Sequence, residues 1–150
     1  MSFKRQQAVG VNFVPAYQVA GVPFVTSSAA NEVTTAALEV GFPFVTRWVE
    51  IVNTGDVNLR IGFSANGVIG SGGSISGSAH ELTANHANYF VLGTSGSNGG
   101  GTTRLELRCT KVFFATGAGT SDFSLIAGLT GIPRRNLSAL TGSDGFLGIG

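Results

Sequence analysis

Between Asn58 and Phe63 the chain alternates without a break: Leu59, Ile61 and Phe63 fall on one side, and Asn58, Arg60 and Gly62 on the other. That period of two belongs to a strand buried on one face. The preceding run, "FVTRWVEIVN" from Phe44 to Asn53, is apolar on both sides, with Phe44, Trp48 and Val52 opposite Val45, Val49 and Ile51, and Arg47 interrupting. Two apolar faces predict a central strand whose outer side meets another element or another subunit. Thr54-Gly55-Asp56 supplies turn residues between the two runs, so the pattern predicts a hairpin in which Val57 to Ser64 returns antiparallel to Phe44–Asn53.

Strand chemistry recurs in "AALEV" ending at Val40, "NYFVLGT" from Asn88 to Thr94, "TTRLELRCTKVFFAT" from Thr102 to Thr116 and "DFSLIAGLTG" from Asp122 to Gly131. In the third of these, Leu105, Leu107 and Cys109 alternate with Arg104, Glu106 and Arg108, and the run is long enough to bend. One or two more strands fit within "GVNFVPAYQVAGVPFVTSS" from Gly10 to Ser28, for a total of seven or eight. Helical periodicity is scarce. "SSAANEVTTAALEV" from Ser27 to Val40 allows one turn at most, because its Val-Thr-Thr run and the Gly-Phe-Pro that follows favour a turn into a strand. The pattern as a whole predicts an all-β sandwich or barrel.

Two glycine-rich stretches, "GVIGSGGSISGS" from Gly67 to Ser78 and "GTSGSNGGGTT" from Gly93 to Thr103, punctuate the strands. Neither cradles phosphates. A P-loop needs a lysine after its last glycine, and the chain has none between Lys4 and Lys111; the spacing of Gly70, Gly72 and Gly73 also misses the dinucleotide fingerprint. The flanks share one strand chemistry, so the stretches read as inter-strand loops of one domain and not as domain linkers.

Composition sharpens this picture. Only 11% of the 150 residues are charged, 23 are Gly and 11 are Phe, so the chain hides much of its surface or expects neighbours. The net charge of +1 excludes the basic footprint of bulk nucleic-acid binding. Lys4-Arg5 and Arg134-Arg135 are local basic pairs near the two ends. The single cysteine, Cys109, excludes an intrachain disulfide framework and, in phase with Leu105 and Leu107, reads as a small buried hydrophobe. The start of the sequence lacks the apolar core of a signal peptide, and no run approaches a membrane span, so a soluble chain made in a reducing compartment is expected.

Catalytic constellations are missing from the pattern. His80 and His86 flank "ELTAN" at a spacing that does not suit a zinc-binding helix, Glu81 reads as a loop residue, and the serines sit in Gly-Ser tracts without a nucleophile elbow. Glu39, Glu50 and Glu106 sit in strand patterns, where Arg47, Arg60, Arg104 or Arg108 can pair with them across strands. Neither catalysis, a cofactor nor a metal is expected.

The ends have a character of their own. Residues 1–26 carry Phe3, Phe13, Tyr17 and Phe24 with little turn chemistry, and residues 132–150 scatter Leu137, Leu140, Phe146, Leu147 and Ile149 among Gly, Ser and Asp. Neither has the polarity of a disordered tail, so both read as arms lying along a partner or along the domain formed by residues 27–131. Phe3, Lys4, Arg5, Phe13, Tyr17, Arg134, Arg135, Leu137, Leu140, Phe146, Leu147 and Ile149 are accordingly the expected assembly residues.

The succession "RWVEIVNTGDVNLRIGFSANGV", "NYFVL", "RLELRCTKVFF" and "SLIAGLTGIP" resembles the small single jelly-roll capsid proteins of icosahedral double-stranded DNA viruses and phages, over roughly Phe42 to Pro133. The resemblance implies an eight-stranded antiparallel jelly roll. It also implies a non-catalytic homo-oligomer, pentamer or trimer, made in the host cytoplasm and built with other capsid proteins into the virion as a penton, minor or decoration protein. A carbohydrate-binding sandwich, for example of a phage fibre or tail, is the alternative, with Trp48, Tyr89 or Tyr17 available to stack on sugar rings. Trp48, among apolar strand neighbours, is expected in the core. A cupin-like enzyme ranks third, since its metal site needs more than two histidines.

Overall fold

The computed structural model describes residues 10–70, 88–94, 101–138 and 149. Eight strands form two antiparallel sheets of four. They are β1 (Val22–Ser27), β2 (Leu38–Gly41), β3 (Phe44–Asn53), β4 (Leu59–Gly62), β5 (Tyr89–Leu92), β6 (Thr102–Leu105), β7 (Lys111–Thr116) and β8 (Phe123–Pro133). The first sheet has the order β1-β8-β3-β6 and the second β2-β7-β4-β5. Two short helices, α1 (Pro15–Gln18) and α2 (Ala65–Ile69), precede β1 and follow β4, and a 3-10 turn (Arg134–Asn136) follows β8. The chain is an all-β sandwich.

The core lies between the sheets and is built by the alternation. Val49 and Ile51 of β3, with Leu125, Ala127 and Leu129 of β8, face Leu59 and Ile61 of β4 and Val112 and Phe114 of β7. Phe114 stacks on Phe123 at 4.2 Å between ring centres, which ties the second sheet to the first. Leu105, Leu107 and Cys109 turn inward while Arg104, Glu106 and Arg108 stay exposed, as their alternation predicts.

Three expectations are corrected. The run Phe44–Asn53 forms a strand with the expected bounds, but its turn does not make a hairpin: β4 belongs to the opposite sheet, and β3 pairs with β8 and β6. The cause is Asn53. Its buried amide Nδ2 donates to Val57 O at 2.9 Å and lies 3.2 Å from both Leu92 O and Gly93 O, and its Oδ1 accepts from Gly55 N at 3.0 Å. Ser121 Oγ, 3.0 Å from both Asn53 Oδ1 and Val57 O, completes a polar knot where the chain crosses between sheets. The run Thr102–Thr116 likewise splits into β6 and β7 in different sheets. Thr46 clamps that crossing: its Oγ1 donates to Leu107 O and accepts from Cys109 N, each at 2.9 Å.

The third correction concerns the stretch read as a loop from Gly67, whose first residues lie in α2. Ser64 caps this helix by accepting from Gly67 N, and Gly70 closes it at φ 82°, a left-handed conformation that glycine adopts without strain. No helix occurs between Ser27 and Val40. At the start, β1 begins at Val22, inside residues expected to be arm, and it pairs along its length with β8.

Candidate interaction surface

On the second sheet the outward positions of β7 are Phe113 and Ala115, and α2 lies over them, burying Val68 in a small second cluster. Gly62 makes the approach possible, since a Cβ there would lie 3.1 Å from Val68 Cβ. Arg60 sits over the Tyr89 ring at 4.4 Å, and Lys111 meets Glu39 at 3.7 Å.

The outer face of the first sheet is covered only in part among the described residues: α1 contacts β8 and Trp48 lies against Gly128, while Val25 and Ile126 stay exposed. Register places Val25 of β1 beside Ile126 of β8, then Glu50 of β3, then Arg104 of β6, in one outward row. A second row runs Ser27, Ser124, Val52, Thr102, and a third Pro23, Gly128, Trp48. Val25 is 69% exposed and Ile126 39%. Eight large apolar side chains stand exposed among the described residues, and seven of them belong to this sheet or to the segment leading into it: Phe13, Val14, Val19, Val22, Val25, Phe44 and Ile126. Val91 on β5 is the exception. Of these, Val25 and Ile126 are adjacent outward positions of the sheet, whereas Val22 shares the parity of the core-packed Phe24, and Phe13, Val14 and Val19 lie in the segment before β1.

Trp48 belongs to this face and not to the core, contrary to expectation. It is half-buried, lying flat over Gly128, whose missing side chain leaves room for the indole: a Cβ there would come within 2.7 Å of Trp48 Cε2. The Arg104 guanidinium covers the ring's other side at 4.1 Å from its centre. Arg104 also meets Glu106 at 2.7 Å, an exposed pair of small energetic weight.

The segment before β1 is fixed to the sheet through its own carbonyls. Arg108 Nη1 donates to Val11 O at 3.0 Å, Tyr17 Oη donates to the same oxygen at 2.7 Å, and Arg47 donates to Val19 O. Arg108 lies 5.7 Å from the Tyr17 ring centre. An open cleft of about 440 Å³ remains between Val11, Tyr17, Arg47, Leu107 and Arg108. Periodicity could not reveal these arginine-to-carbonyl ties, because they join residues far apart in sequence. Arg47, which looked like an interruption in the apolar pattern of β3, is the residue that anchors the segment.

Of the expected assembly residues, Phe13 is exposed just before α1, Tyr17 is half-buried on α1, Arg134 and Arg135 are exposed in the 3-10 turn, and Leu137 is half-buried after it. The two groups come from opposite ends of the described chain. Ile149 is buried near α2, on the other sheet's side, with its carbonyl accepting from Ser64 Oγ at 2.7 Å. Phe3, Lys4, Arg5, Leu140, Phe146 and Leu147 lie outside the described residues, as do His80, Glu81 and His86.

Cys109 is buried, 3.3 Å from Thr46 Oγ1, and burial pushes its thiol up to about 11 against the lowering effect of the Thr46 and Lys111 hydrogen bonds. A thiol held protonated in this way is a poor nucleophile. Among the described residues no three His, Cys, Asp or Glu side chains gather as metal ligands, and no helix is long and apolar enough to cross a membrane. The chain matches no protein-family model, no curated protein and no solved structure.

Proposed function

We propose that this protein is a virion structural component, a jelly-roll subunit that forms homo-oligomers and joins other capsid proteins at a vertex or in the shell of a particle. The observation that carries this reading is the pair of exposed apolar side chains, Val25 and Ile126, at adjacent outward positions of the first sheet, in a chain whose charged residues make up only 11% of the sequence. Strand order supports the jelly roll. The pairs β1·β8, β2·β7, β3·β6 and β4·β5 are those of a four-strand arm folded back on the next four, and the contacts β8·β3 and β7·β4 roll that long hairpin into two sheets. Fold alone does not assign function, so the weight rests on the surface.

A carbohydrate-binding module is the competing reading, and the side-chain arrangement disfavours it. Each ring available for sugar stacking is met by a guanidinium of its own chain: Trp48 by Arg104, Tyr89 by Arg60 and Tyr17 by Arg108. Light scattering on the purified chain separates the two. The capsid reading expects a closed oligomer, trimer or pentamer, with no glycan bound on an array; a stable monomer that binds glycans would overturn it.

A further inference from the structure

One buried threonine, Thr46, fixes the backbone of two arginines. Around it β3 shifts its register against β8, from Thr46 opposite Leu129 to Trp48 opposite Gly128, which leaves Arg47 as the extra residue of a bulge. Bulges of this kind re-aim a side chain. Arg108 lies between Leu107 and Cys109, the two residues that Thr46 holds: its Oγ1 donates to Leu107 O and accepts from Cys109 N, and its backbone N–H donates to Cys109 O, each at 2.9 Å. Both guanidiniums therefore line the open cleft of about 440 Å³ from backbone that is tied down.

Neither arginine meets a carboxylate among the described residues. The ion pairs there are Arg104 with Glu106 at 2.7 Å and Lys111 with Glu39 at 3.7 Å, so the charge of Glu106, which also lines the cleft, is already met. Arg47 and Arg108 each commit Nη1 to a neutral backbone carbonyl, of Val19 and of Val11. A guanidinium is a planar fork of several N–H donors, and it holds a carboxylate more strongly than a neutral acceptor. The cleft thus has charge and donors to spare, between apolar walls supplied by Val11, Val14 and Leu107. We propose that it is a binding site for an acidic segment of a partner protein, whose carboxylate pairs with Arg47 and Arg108 while an adjacent apolar side chain packs against those walls. A small inorganic anion would meet the charge and leave the apolar walls wet, which favours a peptide. The site needs no second copy of this chain, so it goes beyond the homo-oligomer reading and stands or falls apart from it.

The test is fluorescence polarisation on the full-length chain with a capped, fluorescein-labelled peptide of alternating glutamate and leucine, at physiological ionic strength. Binding with a Kd on the order of 0.1 mM or tighter is expected. The same peptide with glutamine in place of glutamate should bind at least about tenfold more weakly. So should the glutamate peptide to Arg47→Gln and to Arg108→Gln, each of which removes the charge and keeps an amide donor for the carbonyl. Arg60→Gln, on the second sheet, removes the same charge away from the cleft and should bind like the parent. Circular dichroism checks the fold of each variant, and if Arg47→Gln does not fold, the exposed Arg108→Gln decides alone. Inorganic phosphate at the peptide's own concentration should not displace it; displacement would mean a site for small anions and overturn the assignment to a protein segment. Absence of binding up to ~1 mM, equal binding of the glutamine peptide, or a loss in Arg60→Gln equal to that in the cleft variants would each overturn the proposal.

Discussion

The two sheets of this sandwich match in strand number and differ in what lies on their outer faces. On the second sheet, α2 covers Phe113 and Ala115, and Ile149 docks beside that helix. On the first, Val25 and Ile126 stand open beside the segment carrying Phe13, Val14 and Val19. Apolar outward positions are thus covered by the chain itself on most of the second sheet, Val91 of β5 excepted, while Val25 and Ile126 stay exposed on the first. A sheet face that a chain can cover with its own helix contributes to folding.

The largest effect should come from breaking the covered side. Phe113→Ala removes a ring that is 5% exposed beneath α2, and it should cost about 3–5 kcal/mol, visible as a fall of roughly 10 °C in melting temperature. An unchanged melting temperature would mean that α2 does not cover this face in solution.

Next in size is the knot that makes the two sheets one body. Asn53→Leu leaves Leu92 O, Gly93 O and Gly55 N short of partners and should cost about 2–4 kcal/mol by urea denaturation. If the variant is as stable as the parent, the sheets are held by apolar packing alone.

Cys109 marks the crossing from β6 to β7 and gives a pH-dependent reading of how dry that crossing is. Its thiol titrates near 9.0 when unfolded and at about 11 when folded, so burial favours the protonated form. The stabilisation is fully present below pH 9 and is lost as the pH rises from 9 to 11, because the unfolded chain ionises first. The difference is about 2–3 kcal/mol. The parent should therefore lose about that much stability relative to Cys109→Ala over that interval, and parallel pH curves for the two proteins would show a wet crossing.

Much of this arrangement was legible in the sequence. The alternation in Phe44–Asn53 predicted β3 and its two apolar faces, but not which of them is outward: the face with Trp48 and Val52 is, although Trp48 was expected in the core. Periodicity failed where the question was which sheet a strand joins. Thr54-Gly55-Asp56 can close a hairpin or carry a chain between sheets, and the choice was made by Asn53 reaching Leu92 O and Gly93 O, residues remote in sequence. Trp48 was misplaced for a related reason: its neighbours in the chain are apolar, yet its neighbours in space are Gly128 and Arg104. The short helix α2 had its signals in Ser64 and Gly70, masked by an Asn-Gly pair that more often marks a turn. The exposed face could be anticipated as chemistry, from low charge and surplus apolar positions, but its location required the register.

The smallest effect on folding should come from the uncovered side, and it carries the most direct test of the account. Val25→Asp with Ile126→Asp places two carboxylates on adjacent outward positions of β1 and β8. Both side chains are already exposed, so the melting temperature of the subunit should change by less than the equivalent of about 1 kcal/mol. Association should not survive, since each copy would have to bury those charges against its neighbour. Sedimentation velocity on the parent and the double variant at matched concentration reads this directly. The account predicts an oligomeric parent and a folded, monomeric variant; a variant that sediments as the same oligomer would show that the first-sheet face is not where copies meet.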